Sequence, residues 1–409
     1  MLSDVLLEPL SLEKYSPIVG EEKIREIKGL AEKLAGKSLC HVNSTSFGGG
    51  VAEILHRLIP LMQDVGLKAD WRIIKGSDEF FNVTKAFHNG LQGMEISLTD
   101  AMRKTYLEYN EANAQRLDLH HDFIVTHDPQ PAAIISYQKI RIGKWIWRCH
   151  IDMSKPNPDF INFLIPVLHG YDSLIFTMNE YVPEPLKTRK AAIIPPSIDP
   201  LSDKNKPLSE ENIIAVLNRF DVDPEKPIIT QVSRFDPWKD PLGVIDVYRI
   251  VKKEMPDVQL LLIACMAKDD PEGWNYYEKT ARHAGEDPDI HLLTDLKCVA
   301  DIEVNAFQRA SDVVLQKSTR EGFGLTVAEA LWKEVPVVAG NVGGITLQVL
   351  NGLNGFLVSS IQEAADKTLY LLKHPLEAKK MGVRGKEHVL KNFLITRHLE
   401  DYLKLLSSL

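Results

Sequence analysis

Short apolar, β-branched runs alternate along this chain with stretches in which apolar positions recur every three or four residues. In the first half the runs are Ser38–Val42, Trp71–Ile74, Asp122–Thr126, Trp145–Cys149, Ser173–Thr177 and Ala191–Ile194. In the second half they are Ile228–Val232, Val258–Ile263, Ile290–Leu293, Asp312–Leu315, Val335–Ala339 and Gly355–Val358. Runs this short and this apolar suit strands covered on both faces. Alternation with helical patterns predicts an α/β fold, with parallel sheets flanked by helices. Between Glu21 and Lys37, Ile24, Ile27, Leu30 and Leu34 fall on one side of an amphipathic helix. Its charges are mixed in sign, which favours packing over membrane binding.

The stretch Pro195-Pro-Ser-Ile-Asp-Pro200 divides the two halves, and the polar segment up to Pro207 reads as a linker. At 409 residues the chain exceeds one typical domain. The expected organisation is a Rossmann-like domain over 1–200, a second over 201–392, and a last helix over 393–409 able to pack back on the first.

Charge and composition narrow the function. A net charge of −8 without a basic stripe argues against nucleic acid. No apolar run approaches the roughly 20 residues that cross a bilayer. The first ten residues lack a basic segment and a cleavage pattern, so a cytoplasmic protein is expected. Cys40, Cys149, Cys265 and Cys298 are far apart and form no metal-ligand or redox pair in sequence. Reduced thiols and no structural disulfide are expected.

In parallel α/β sheets, ligands bind beyond the carboxyl ends of the strands. The unusual polar residues of this chain follow predicted strands. Gly48, Gly49 and Gly50 open a helix after the first, where backbone amides can approach an anion. His127-Asp-Pro-Gln-Pro131 follows the third, and His150 and Asp152 follow the fourth. Buried polar groups there are costly unless they face a cleft or are hydrogen-bonded. In the second half, Arg234 and Lys239 can converge on one anion, Arg by bidentate contact and Lys as a compact charge. Ser318-Thr-Arg-Glu-Gly-Phe-Gly-Leu-Thr-Val-Ala-Glu-Ala330 reads as strand end, loop and helix. It sets Glu321 in the loop and Glu329 about one turn into the helix. A glutamate ahead of a helix is otherwise a plain dipole partner. With the cations nearby, the set describes a sugar-nucleotide site. No Gly-x-x-x-x-Gly-Lys-[Ser/Thr] phosphate loop and no Gly-x-Gly-x-x-Gly occur where kinase or dehydrogenase chemistry would need them.

Arg234 with Lys239, the Glu321-to-Glu329 segment and the Gly48–Gly50 loop resemble the retaining nucleotide-sugar glycosyltransferases of GT-B fold. In that fold two Rossmann-like domains face across a cleft. Trp71, Phe80–Lys85, His88–Gly93, His127–Pro131 and Trp147–Asp152 look more closely like the trehalose glycosyltransferring synthases. These join a nucleotide-diphosphate glucose to free glucose. The resemblance implies that Arg234 and Lys239 neutralise the leaving diphosphate. Glu321 would hold donor-sugar hydroxyls, helped by amides over Gly322, Phe323, Gly324, Leu325 and Thr326. Glu329 would take the ribose, His150 the neighbourhood of the sugar's 6-hydroxyl, and Leu293–Cys298 the base. Asp128, Gln130, Lys85 and Asn89 would face the acceptor. Catalysis would need no protein-bound metal, Mg2+ serving at most as counter-ion of the nucleotide, and the chain could form a homodimer. Readings left open are another acceptor (a sugar phosphate, a glycerate or a lipid headgroup) and a sensor that binds without turnover. A pyridoxal-phosphate phosphorylase would need a cofactor lysine.

Overall fold

The twelve predicted runs all become strands in the computed structural model, which describes residues 5–187, 191–264 and 271–409. Cys265, one of the cysteines expected to be reduced, lies outside them. In chain order the strands are β1 (Ser38–Asn43), β2 (Lys68–Ile73), β3 (Phe123–His127), β4 (Lys144–Arg148), β5 (Ser173–Phe176) and β6 (Ala191–Ile193). There follow β7 (Ile228–Val232), β8 (Gln259–Ala264), β9 (Ile290–Thr294), β10 (Val313–Gln316), β11 (Val337–Gly340) and β12 (Gly355–Val358). Small shifts at the ends have local causes. β11 starts two residues later than its apolar run because Pro336 has no N–H to give to a ladder; its carbonyl still accepts Val314 N–H.

The strands form two six-stranded sheets, ordered β2-β1-β3-β4-β5-β6 and β12-β11-β10-β7-β8-β9. Every pairing is parallel. Each sheet reverses direction of winding once, between β1 and β3 in the first and between β7 and β10 in the second. These are the points where a doubly wound sheet leaves a crevice at its carboxyl edge. Central strands are buried along their whole length, as at Val313, Val314 and Leu315, so both faces must be covered by helices.

The chain divides into two compact units. One holds residues 1–197 together with 395–409, the other 198–394. In the first, the helix Ile395–Ser407 lies against the helices Glu21–Glu32 and Gly49–Asp64. Ile24 and Ile27 are buried on the side the periodicity indicated.

The segment after Pro200 is a packed turn rather than a loose connector. Asn205 is fully buried, and its amide donates to the Asp199 carbonyl at 3.0 Å. Its own carbonyl and side chain accept from Arg309 and Lys333. The two units part at 197/198, within the Pro195–Pro200 stretch that divides the halves, and the polar residues that follow bond one another.

Candidate functional site

At the carboxyl edge of the second sheet, the residues after β7 and β10 are laced together. Asp236 accepts Trp238 N–H at 2.8 Å, closing a tight turn. Trp238 carbonyl then accepts Thr319 N–H at 2.8 Å, and Gln231 donates to the Lys239 carbonyl at 2.7 Å. Asp240 adopts a left-handed conformation at φ 49° and caps the helix Pro241–Glu254 by accepting Gly243 N–H. Lys317 reaches the same Asp240 carboxylate. Two loops far apart in sequence are thus held as one surface.

On that surface Lys239 Nζ meets Glu321 Oε2 at 2.5 Å. Ser318 Oγ donates to the same oxygen at 3.2 Å. Glu321 is 8% exposed, so its carboxylate is positioned more than solvated. Gly324 follows in the left-handed region at φ 82° and starts the helix Leu325–Trp332. A Cβ there would stand 3.1 Å from Glu321 Cγ, so glycine serves both the turn and the glutamate's place. Arg234, on the same loop as Lys239, is exposed and lies 3.5 Å from Asp236. Gly322 and Phe323 pass beneath, with the Phe323 ring packed 5.4 Å from Phe393. Gln348 donates to the Phe323 carbonyl at 2.5 Å, bracing the helix start that carries Leu325 and Thr326.

Glu329 sits deeper. It is 1% exposed, and Lys204 lies 3.8 Å from its carboxylate. Lys333, one turn on, donates to the Glu329 carbonyl. Lys204 carries no signal in sequence, since it lies in the polar segment that reads as a linker. Near the end of β9 Leu293 is buried, while Cys298 beyond it is exposed with φ 61°, its carbonyl accepting Arg219.

At the carboxyl edge of the first sheet, the Gly48–Gly50 loop opens the helix Gly49–Asp64. Gly48 and Gly49 have φ of 70° and 78° with nothing within 4 Å of an added Cβ. Backbone conformation, not space, demands glycine there. After β3 comes Asp128, buried and also left-handed at φ 63°. Its carboxylate accepts His150 N–H at 2.7 Å, its N–H donates to the Arg148 carbonyl, and its carbonyl accepts Trp147 Nε1–H at 2.9 Å. Tyr106 donates to the Pro129 carbonyl and Asn110 to that of Gln130. The turn that presents Asp128 and Gln130 is therefore held from three directions. Burial raises the Asp128 carboxyl to about 7. Lys85 and Asn89 lie one turn apart on the helix Asp78–Leu91, Lys85 exposed and Asn89 half-buried.

His150 follows β4. Its Nε2 is 3.0 Å from His127 Nδ1, and His127 Nε2 is 2.9 Å from His41 Nδ1. The three rings stack, with centroids 5.2 and 5.3 Å apart. Register explains the alignment: His41 pairs with Val125, and His127 with Arg148. Residues two apart share a face, so His41, His127 and Arg148 lie on one side of the sheet. His127 stood out in the sequence; its bond to His41, 86 positions away, did not.

Among the described residues, Cys40, Asp70 and His121 bring metal-ligand atoms within 4.8 Å of one another. Asp70 already pairs with Arg72 and His121, and burial holds the Cys40 thiol far above its usual value. This is a hydrogen-bonded cluster toward the amino end of the sheet, on the far side from the carboxyl edge. No helix among the described residues is long and apolar enough to cross a membrane.

Residues 41–183 match the family described as trehalose synthase, N-terminal domain, and residues 214–388 match glycosyl transferases group 1. The chain is 59% identical to a trehalose synthase of Thermococcus litoralis, over 97% of each chain. It is 51% identical to one of Rubrobacter xylanophilus, over 98% of this chain and 97% of the other. The solved α,α-trehalose 6-phosphate synthase of Burkholderia multivorans superposes with a TM-score of 0.72 over 91% of this chain and 98% of its own, at 15% identity. That likeness concerns the fold, two parallel six-stranded sheets of GT-B type. The chain is a glycosyltransferase, and it belongs to the trehalose synthase family.

Proposed function

We propose that the protein transfers glucose from a nucleotide-diphosphate glucose to free D-glucose, with retention, giving α,α-trehalose. The observation that carries this reading is the Lys239–Glu321 contact at the β7/β10 switch point, in a chain of this family. A cation and a carboxylate held this closely suit a donor with two demands: charge to neutralise on the diphosphate and hydroxyls to grip on the sugar. Arg234 and Lys239 would stabilise the departing diphosphate, a preorganised electrostatic role. Glu321 would hold donor hydroxyls rather than attack carbon, since Lys239 and Ser318 already occupy one of its oxygens. The leaving phosphate oxygen would then accept the acceptor's proton, on the face from which it departs. Glu329, buried beside Lys204, would take the ribose hydroxyls. His150 would meet the sugar near its 6-hydroxyl.

Asp128, Gln130, Asn89 and Lys85 would receive the acceptor. Three of them are neutral or, in the case of Asp128, held partly protonated near neutrality. This favours an uncharged sugar over a phosphorylated one, which would call for more cations. Mg2+ would act as counter-ion of the nucleotide, with Arg234 and Lys239 supplying protein-borne charge.

The test is transfer by purified protein with ADP-, UDP- or GDP-glucose and free glucose, products identified by carbon NMR. One symmetric set of glucose signals, with nucleoside diphosphate released in step, is the expected result. Nucleotide release without that disaccharide would point to a different acceptor, and binding without either product would point to a sensor. A glucosyl adduct trapped on Glu321 would replace the front-face mechanism with a double displacement.

A further inference from the structure

We propose that His41 and His127 are positioning residues that hold His150 as its Nδ1–H tautomer, so that His150 offers a donor N–H to an oxygen of the bound sugar. The inference rests on the reading above for the place of His150, and on the relay geometry for its tautomer.

Three imidazoles in a row can be hydrogen-bonded in only two neutral ways. In one, His41 Nδ1–H donates to His127 Nε2, and His127 Nδ1–H donates to His150 Nε2. His150 then carries its proton on Nδ1, the ring atom outside the relay. In the other every bond is reversed, His150 presents a bare nitrogen, and His41 must carry its proton on Nε2. His41 Nε2 is buried and has no hydrogen-bond partner among the described residues. The first arrangement leaves a lone pair without a partner there; the second leaves an N–H. Orphaned buried N–H groups are the rarer and costlier of the two. The cost at His41 therefore selects the first arrangement, and the selection reaches His150 through two bonds of 2.9 and 3.0 Å. Polarisation along such a chain strengthens both bonds in the same sense.

A third possibility is an added proton, and the surroundings oppose it. Burial pushes His41 down to about 3 and holds His127 and His150 well below the usual imidazole range. The Arg148 guanidinium, fully buried on the same face of the sheet, adds repulsion on His127 and His150, as does His398 on His150. Asp70 acts the other way on His41 but less than burial does. The relay is thus a neutral, directional device. Its direction is set at the end far from the sugar, and its product is a donor suited to a hydroxyl or phosphate oxygen.

The decisive experiment needs no substitution. Nitrogen-15 histidine labelling and long-range proton–nitrogen correlation at neutral pH distinguish protonated from bare ring nitrogens. The result expected is His150 with Nδ1 protonated and Nε2 bare, and the same for His127 and His41. His150 protonated on Nε2, or on both nitrogens, overturns the proposal. His127→Asn and His127→Leu extend the test to turnover. The Asn amide can still donate where Nδ1–H did, whereas Leu cannot. His127→Leu should lower kcat about tenfold or more, below the 10²–10³ typical of removing a donor outright, because part of His150 still adopts the right tautomer. KM for the nucleotide sugar should change little, His127→Asn should recover most of the loss, and the His150 signals of His127→Leu should show both tautomers. Unchanged His150 signals in His127→Leu would overturn the relay. If transfer to glucose fails while His150 remains Nδ1-protonated, the relay stands and the acceptor reading falls. If trehalose forms while His150 is Nε2-protonated, the reverse holds.

Discussion

The crevice edge of the first sheet is built from groups that burial pushes toward their neutral forms, and that of the second around a lysine–glutamate ion pair and an exposed arginine. At β1, β3 and β4 there are three stacked imidazoles and a carboxyl raised to about 7, and each sits inside a hydrogen-bonded frame. At β7 and β10 a lysine touches a glutamate, and an arginine lies exposed on the same loop. The same strand topology therefore supports two opposite electrostatic tasks. Neutral donors and acceptors recognise hydroxyls by direction, which needs rigid framing. Charges recognise a diphosphate by attraction, which tolerates exposure and gains from it in rate of encounter. Under the proposed function, the first edge sorts sugars and the second manages the leaving group.

Substitutions that swap these characters should show different signatures. The largest effect is expected from Glu321→Ala, which would remove the proposed grip on the sugar and leave Lys239 without the carboxylate it meets. Turnover should fall by about 10³, a loss on the scale of one preorganised site group, while nucleotide affinity measured by calorimetry changes less than tenfold. An active variant would remove Glu321 from the reaction.

Next comes Asp128→Asn, read as stability against pH. Asp128 is raised in the folded protein from an ordinary carboxylate value to about 7. Between those values the folded chain binds the proton more tightly than the unfolded chain. Its contribution is thus present at low pH and is lost as pH rises toward 7. One pKa unit is about 1.4 kcal/mol, so the full swing is on the order of 4 kcal/mol. The four histidines His41, His127, His150 and His398 are all depressed and act in the opposite sense, losing stability as pH falls through the free imidazole range. The difference between wild type and Asp128→Asn in denaturant melts isolates the aspartate. It should change steadily from pH 4 to 7, with wild type losing ground to the variant; a flat difference would show an ordinary carboxylate.

Arg234→Ala should come third, with a rise of about tenfold in KM for the nucleotide sugar. The wild-type KM should also be the more sensitive to salt, because an exposed cation is screened. Equal salt dependence in the two proteins would count against an electrostatic role. The smallest effect is expected from Gly324→Ala. A left-handed non-glycine residue costs about 1–2 kcal/mol, and the new Cβ must also move Glu321. A melting temperature lower by a few degrees, with a lower kcat, is the expected outcome. An unchanged kcat would separate the turn from the placement of Glu321.

Much of this was legible in the chain before its folding was known. Strand positions were legible because both-face burial demands unbroken apolar runs, and these stand out against helical spacing. The candidate residues stood out because they are polar and follow such runs, as with Glu321 after the run ending at Leu315 and Asp128 after that ending at Thr126. Less legible was anything that depends on a partner distant in sequence. Lys204 beside Glu329 and Asn205 inside the second unit were hidden in a segment whose polarity looked like solvent exposure. His41 looked like one more strand residue.

By itself, then, the sequence determined two runs of parallel α/β units, the glycines that permit left-handed turns, and the kinds of side chain placed at strand ends. Those depend on local sterics and on the period of burial, both written in neighbouring residues. Tertiary structure alone decided the strand order, the return of the helix Ile395–Ser407 to the first unit, and the register that stacks His41 on His127. It also decided that Lys239 meets Glu321 across 82 positions. These depend on which apolar faces find one another when the chain collapses, and no stretch of neighbouring residues carries that information.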